Sequence, residues 1–169
     1  FTEQTNLAEN FAKDPGTLND GYPVLNFQLE DILNAAKADA VAELVAYKDL
    51  NKDYSGLSKD AATKVKSDAV TAIAAAESVE QVNSLLEQAK KDLDAIPNDP
   101  NYGLQLGALK AKLAEAKELE AKGDALYTTD SWNSFSATIT GVEYLLETGF
   151  GTQEKVDTYL GYLTSNMDG

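Results

Sequence analysis

Oxygen-bearing side chains alternate along one short segment in the first half of the chain. They are Asp49, Asn51, Asp53 and Ser55, followed by Asp60 at the twelfth position of the same window. This is the ligand spacing of calcium loops such as the EF-hand, in which carboxylate and carbonyl oxygens surround the ion. However, Tyr54 occupies the sixth position, where the sharp turn of such a loop requires glycine. Two interpretations stay open: a Ca²⁺ loop and, favoured, a polar connection that ends in a helix cap.

Aromatic and polar side chains form a second group, near the predicted start of the fifth helix. The aromatic members are Tyr102, Tyr127 and Trp132, and the polar members are Asp130, Asn133 and Ser134. Aromatic faces can stack on the C–H faces of sugars while polar neighbours bind hydroxyl groups, so this group predicts a glycan site. The favoured alternative is that Trp132 and Phe135, at helical spacing, are core residues with Tyr127 packed over the helix start. Further surface candidates are Tyr144, Tyr159 and Tyr162.

Catalysis is not expected from this composition. The chain has no Cys and no His, which excludes disulfides, thiolate metal sites, cysteine nucleophiles and histidine-based triads. Glycosidase chemistry needs two carboxyl groups across a cleft, one of them with a raised pKa. The acidic residues are instead spread over predicted solvent-facing positions, as in residues 110–118. We therefore predict a protein that is not an enzyme and needs no cofactor, with Ca²⁺ as the alternative from the loop.

The net charge of −14 restricts the partners of the chain. All fourteen basic residues are Lys, and Arg, the usual side chain for bidentate phosphate contacts, is absent. Such a surface repels nucleic acids and anionic membranes. The apolar runs are too short to cross a bilayer. We expect a monomer with no nucleic-acid partner and no membrane insertion.

The hydrophobic periodicity predicts an all-α protein made of two tandem three-helix bundles, preceded by a short extended or irregular segment. Turn signals lie at residues 15–16, 19–21 and 23, and residues 22–27 are predicted to form a short extended segment. The first helix is predicted from about residue 28 to residue 49. Residues 28–97 form the first module, 98–103 a compact linker stiffened by prolines, and 104–169 the second module. The predicted N-terminal caps are Ser58, Ser78, Thr128 and Thr152.

The two helix triplets match each other, which indicates an internal duplication. In the second helices the pairs are Tyr54/Tyr127, Ala62/Phe135, Ala69/Val142 and Ile73/Leu146, at an offset of 73. In the third helices the pairs include Ser78/Thr152, Val82/Val156, Leu86/Leu160 and Ala89/Leu163, at an offset of 74. The first copy is richer in alanine, so its helices are expected to lie closer together than those of the second.

Residues 109–167 resemble the FIVAR module, a three-helix repeat of Gram-positive extracellular proteins. The residues that carry the resemblance are Tyr127, Thr128, Ser131, Trp132, Phe135, Thr152, Gln153, Val156, Asp157 and Leu160. Gly141 and Gly161 stand where alanine is commoner in such repeats. The first module is expected to be a degenerate relative, as the duplication implies. The resemblance implies no catalytic residues.

Residues 19–25, Asn-Asp-Gly-Tyr-Pro-Val-Leu, are similar to the closing strand of repetitive β-domains in clostridial-type surface proteins. Residues 1–27 are therefore expected to be the tail of a preceding β-domain. Together, the resemblances imply a secreted or cell-wall region of a multi-modular protein that spaces its neighbouring domains. The alternative is an accessory module that binds a glycan or a surface protein through the aromatic end of the second bundle.

Overall fold

A computed structural model describes residues 11–12, 22, 24–125 and 127–167. These residues form two short strands and six helices, which confirms the predicted all-α fold with two successive triplets. The helices are α1 (Asn26–Ala46), α2 (Gly56–Ala75), α3 (Val79–Ala95), α4 (Gly107–Glu120), α5 (Thr129–Thr148) and α6 (Gln153–Met167). Among the described residues, no helix combines the length and apolar character that crossing a membrane requires.

The extended N-terminal segment is described at only a few residues. Strand β1 (Phe11–Ala12) pairs antiparallel with β2 (Val24–Leu25). Helix α1 follows β2 directly, and its Gln28 side chain accepts a hydrogen bond from the backbone N–H of Leu25 at 3.0 Å. The predicted extended run through Phe27 was therefore two residues too long, because this bond already closes the first helical turn. The predicted turns in residues 13–21 lie outside the described residues.

Three of the four predicted N-terminal caps are confirmed. Thr128, Thr152 and Ser78 each accept a hydrogen bond from the backbone N–H three residues later, at 3.2–3.3 Å. Ser58 is not a cap, since α2 begins at Gly56. It lies inside the first turn, and its hydroxyl accepts the N–H of Ser55 at 3.1 Å, which is the returning arm of a capping box.

The chain divides into two compact units. Unit one contains Phe1–Lys48 and Lys64–Ala95, and unit two contains Asp49–Thr63 and Ile96–Gly169. The α1–α2 loop and the first turns of α2 thus group with the second helix triplet, although the sequence assigned them to the first module. The predicted division into modules of residues 28–97 and 104–169 stays a prediction.

Unit one packs mainly through α1 and α3, which approach each other closely along their backbones. Its core includes the fully buried side chains of Leu44, Ile73, Val82 and Leu93. Helix α2 makes few close backbone approaches to either neighbour, so the predicted tight spacing was wrong for this helix. The larger side chains at a helix contact set the interaxial distance, and alanines beside them leave space rather than closing it.

Unit two has close backbone approaches between all three of its helix pairs. Its core contains the fully buried Phe135, together with large aliphatic side chains from each helix. The buried members are Leu109, Leu113, Ala116, Phe135, Ile139, Val142, Leu145, Phe150, Val156 and Leu163. The second repeat therefore closes its helix seams with its own side chains.

Lysines from neighbouring helices cap the carboxyl ends of α1 and α2, neither of which has a basic residue in its last turn. Lys66 on α2 donates to the carbonyl oxygens of Val45 (3.0 Å) and Lys48 (2.9 Å) after α1. In return, Lys37 on α1 donates to the carbonyl oxygen of Ala74 (2.9 Å) in α2. These bonds satisfy carbonyls that the helices leave open and place positive charge at the negative ends of the helix dipoles.

We expect Lys66→Met to lower the free energy of unfolding of unit one by about 1 kcal/mol, because it removes two charge-assisted bonds while keeping the aliphatic stem. Urea unfolding followed by circular dichroism measures the change. The matched control is Lys91→Met, which removes the same charge from an exposed position on α3. Equal effects of the two substitutions would show that net charge, and not capping, is responsible.

Candidate functional site

The aromatic group at the start of α5 is packed upon itself. The Thr128 cap fixes the start of the helix, so that Trp132 and Phe135 lie one turn apart on the same face. The ring of Tyr127 is parallel to that of Phe135 at a centroid distance of 5.6 Å and tilted against Trp132 at 5.4 Å. Phe135 is fully buried, and Trp132 packs half-buried against the core of unit two. Much of each ring face is therefore covered by the other two rings.

Two of the predicted polar residues lie beside this aromatic group, but one of the predicted aromatic residues, Tyr102, lies elsewhere. Asp130 and Asn133 are exposed in the first turns of α5, next to Trp132. Tyr102 instead follows Asn101, whose side chain binds the carboxyl end of α5 at Leu145. Thirteen residues of helix, about 20 Å, separate that end from Trp132. The structure brings together Tyr127, Trp132, Asp130 and Asn133, and separates Tyr102 from them.

More open aromatic surface lies elsewhere in unit two. Tyr144 on α5 is 63% exposed and Tyr162 on α6 is 55% exposed. Tyr162 meets the ring of Tyr159 edge-on at 5.8 Å. A Cβ added at Gly141 would lie 3.4 Å from the Tyr159 ring, which is an ordinary contact distance, so alanine would also fit beside this ring.

The side chains of the predicted calcium loop bind the loop itself. Asp53 accepts the backbone N–H of Asp49 at 2.7 Å, and the Asp49 carboxylate accepts the N–H of Asn51 at 2.9 Å. The latter bond lowers the pKa of Asp49 below its ordinary value. The side-chain amide oxygen of Asn51 accepts a hydrogen bond from the Lys59 ammonium at 2.7 Å. An ammonium group and backbone N–H groups therefore hold oxygens that a cation would need.

The last two predicted ligands are directed elsewhere. The Ser55 hydroxyl donates to the Asn98 side chain at 2.6 Å, and Asp60 is exposed on α2. Within the described ranges, no three acidic side chains are placed to hold one metal ion. Tyr54, at the position where a calcium loop has glycine, is buried, which agrees with the packing role indicated by its match to Tyr127.

A buried polar contact in unit two was not expected from the sequence. The side-chain amide of Asn101, only 3% exposed, donates to the carbonyl oxygens of Leu145 (3.3 Å) and Leu146 (2.9 Å). Its side-chain oxygen accepts the backbone N–H of Phe150 at 2.8 Å. One linker residue thus satisfies three backbone groups where α5 ends and the chain turns at Gly149.

The rest of the linker is held by the start of α2. The buried Ser58 hydroxyl accepts the backbone N–H of Asp99 at 3.3 Å. The backbone N–H of Leu57 donates to the Pro100 carbonyl oxygen at 3.2 Å. Gly56 is required here, since its φ is +49° and an added Cβ would lie 2.6 Å from that same oxygen. Together with Asn101, these contacts form what we call the linker clasp (Ser55–Ser58 with Asn98–Asn101).

The titratable groups between α1 and α3 form ion pairs rather than acid–base pairs. Lys90 contacts Glu43 at 2.5 Å, and this bond raises the pKa of Lys90. Asp94 contacts Lys48 at 3.0 Å and accepts the Tyr47 hydroxyl at 2.9 Å, and these bonds lower the pKa of Asp94. Both shifts favour the charged forms at neutral pH, whereas general acid–base catalysis uses groups that titrate near the working pH.

We expect millimolar Ca²⁺ to leave the thermal midpoint unchanged, because the loop oxygens already bind Lys59 and backbone N–H groups. Differential scanning calorimetry with Ca²⁺ and with EDTA measures this, and Asp53→Asn serves as the variant that removes one carboxylate. A Ca²⁺-dependent rise in the midpoint that Asp53→Asn abolishes would establish the calcium loop instead.

Comparison with known proteins finds no match to this chain among family models, curated proteins or solved structures.

Proposed function

We propose that the chain is a non-catalytic spacer and interaction region of a secreted or cell-wall multi-modular bacterial protein. The resemblance of residues 109–167 to FIVAR modules is the source of the cellular context and of the neighbouring domains as partners. The observation that carries the spacer role is the linker clasp. A segment that joins two helix triplets as a loose tether needs no buried polar contacts, yet Asn101 and Ser58 are both buried and hydrogen-bonded.

The cores of both units support the same proposal. Each unit buries its own set of large side chains, and no buried side-chain nitrogen or oxygen in the described residues is left without a partner. Satisfied polar groups and filled cores give a single well-defined arrangement within each unit. This is the property that a spacer requires, since it presents its neighbours in a fixed manner.

The alternative function is binding of a glycan or a surface protein at the aromatic end of unit two. Its support is that Trp132 keeps part of its surface open beside the exposed Asp130 and Asn133. Against it, Tyr127 stacks on Phe135 and lies tilted against Trp132, so less ring surface is left for a sugar. We therefore rank the spacer role first.

We expect Asn101→Ala to lower the free energy of unfolding of unit two by about 2–4 kcal/mol, because the Leu146 carbonyl and the buried N–H of Phe150 lose their partner. The Leu145 carbonyl keeps the backbone N–H of Gly149 as its partner. Urea unfolding measures the loss. The control is Asn98→Ala in the same linker, where one exposed hydrogen bond is removed and a loss below about 1 kcal/mol is expected.

Hydrogen exchange on the wild-type chain tests directly whether the linker is ordered, as the spacer role requires. The backbone N–H groups of Asp99 and Asn101 are bonded to Ser58 and to the Asp99 side chain, respectively, and should be protected. Exchange at the rate of an unstructured peptide would make the linker a loose tether, and the spacer proposal would fail.

The binding alternative is tested by Trp132 fluorescence and calorimetry against host and cell-wall glycans. We expect a blue-shifted emission that no glycan changes, because the indole packs against Tyr127 and Phe135. A saturable heat of glycan binding that disappears in Trp132→Phe would place the binding role first. Asp60→Asn, a charge-changing substitution outside the aromatic end, is the control and should keep that heat.

A further inference from the structure

An open apolar groove of about 240 Å³ runs between α2 and α3 in unit one. Its walls are the short or aliphatic side chains of Val65, Ala69 and Ala72 on α2 and of Leu85 and Ala89 on α3. The volume exceeds the ~150 Å³ that accommodates a benzene ring in an engineered cavity. The groove can therefore receive one or two large side chains from outside.

The second repeat closes the equivalent seam with its own side chains. Ala69 and Ala72 correspond to Val142 and Leu145 at the offset of 73, and Ala89 corresponds to Leu163 at the offset of 74. Those three larger residues are buried in the core of unit two. The groove thus lies where unit one lacks side-chain volume that its sister repeat supplies.

The acidic residues of the groove favour an occupant of positive charge. Asp68 on α2 and Asp92 on α3 line the groove, and no basic residue does. The Asp68 carboxylate is held by Lys64 at 2.7 Å, a lysine that is 75% exposed and can give way to another cation. A second copy of this chain would bring the same two carboxylates and a net charge of −14, so self-association is opposed by like-charge repulsion.

We propose that this groove docks a cationic amphipathic segment of a partner protein. Apolar side chains of that segment would fill the space beside Ala69 and Ala89, and its Lys or Arg side chains would face Asp68 and Asp92. This is helix-in-groove recognition, in which apolar anchors supply affinity and rim charges supply orientation and association rate. The proposal is independent of the spacer role, because the groove and the linker clasp share no residue.

The experiment uses the full chain and a synthetic helical peptide of leucine and lysine with one apolar face. Alanine-methyl NMR is the readout, and we expect saturable shifts at Ala69, Ala72 and Ala89. A peptide in which glutamate replaces lysine should not bind. Absence of saturable shifts with the lysine peptide would overturn the proposal.

Two variants separate the groove from general attraction to an acidic protein. Ala69→Val with Ala89→Leu fills the groove with the residues of the second repeat and should raise the dissociation constant of the lysine peptide at least about tenfold. Asp68→Asn with Asp92→Asn should raise this constant more than Asp31→Asn with Asp39→Asn, which removes the same charge from exposed positions on α1.

If the filled variant does not fold, the comparison of the two charge pairs still distinguishes binding in the groove from general attraction to the acidic surface. Equal weakening by both charge pairs, or unchanged binding in a folded filled variant, would show that the peptide binds the acidic surface at large and would refute the groove.

Discussion

The fold of unit two depends on how α5 ends. The carbonyl of Leu146 and the N–H of Phe150 lie where the chain turns at Gly149, whereas the Leu145 carbonyl also has the N–H of Gly149 as a partner. Each such group left unpaired costs about 1–3 kcal/mol, so a partner must come from elsewhere in the chain. Asn101 is that partner, and its side chain can donate twice and accept once in a single position. The linker is therefore a structural part of unit two.

That constraint extends to the loop before α2. Once Asn101 is fixed, Asp99 and Pro100 lie against Ser58 and Gly56, and glycine is the residue that permits so close a backbone approach. The segment 49–63 consequently groups with unit two. The resemblance to a calcium loop arises from the same residues, since a tight polar connection and a cation loop both need closely spaced oxygens. Here Lys59 and backbone N–H groups are the partners of those oxygens.

The sequence predicted what local interactions determine. Helix periodicity and the caps at Thr128, Thr152 and Ser78 depend on residues within four positions, and the structure confirms them. Asn101 and Lys66 were not recognised, because their partners lie 44 and 18 residues away or more and an asparagine or lysine alone carries no sign of such a partner. For the aromatic end, the sequence correctly placed Tyr127 and Trp132 together but wrongly added Tyr102, and it could not tell how far the rings pack on one another.

The two repeats use the same helical pattern with different side-chain volumes, and this difference changes where each can interact. In unit two, Val142 and Leu163 close the seam that Ala69 and Ala89 leave open in unit one. The aromatic rings that suggested a ligand site are partly covered by one another. The alanines, which suggested only closely packed helices, leave an apolar groove beside two carboxylates. Unit one tolerates an unfilled surface between its helices, because its core of Leu44, Ile73, Val82 and Leu93 is intact. The surface most open to a new partner is thus expected where the repeats differ in volume rather than where they carry the most aromatic residues.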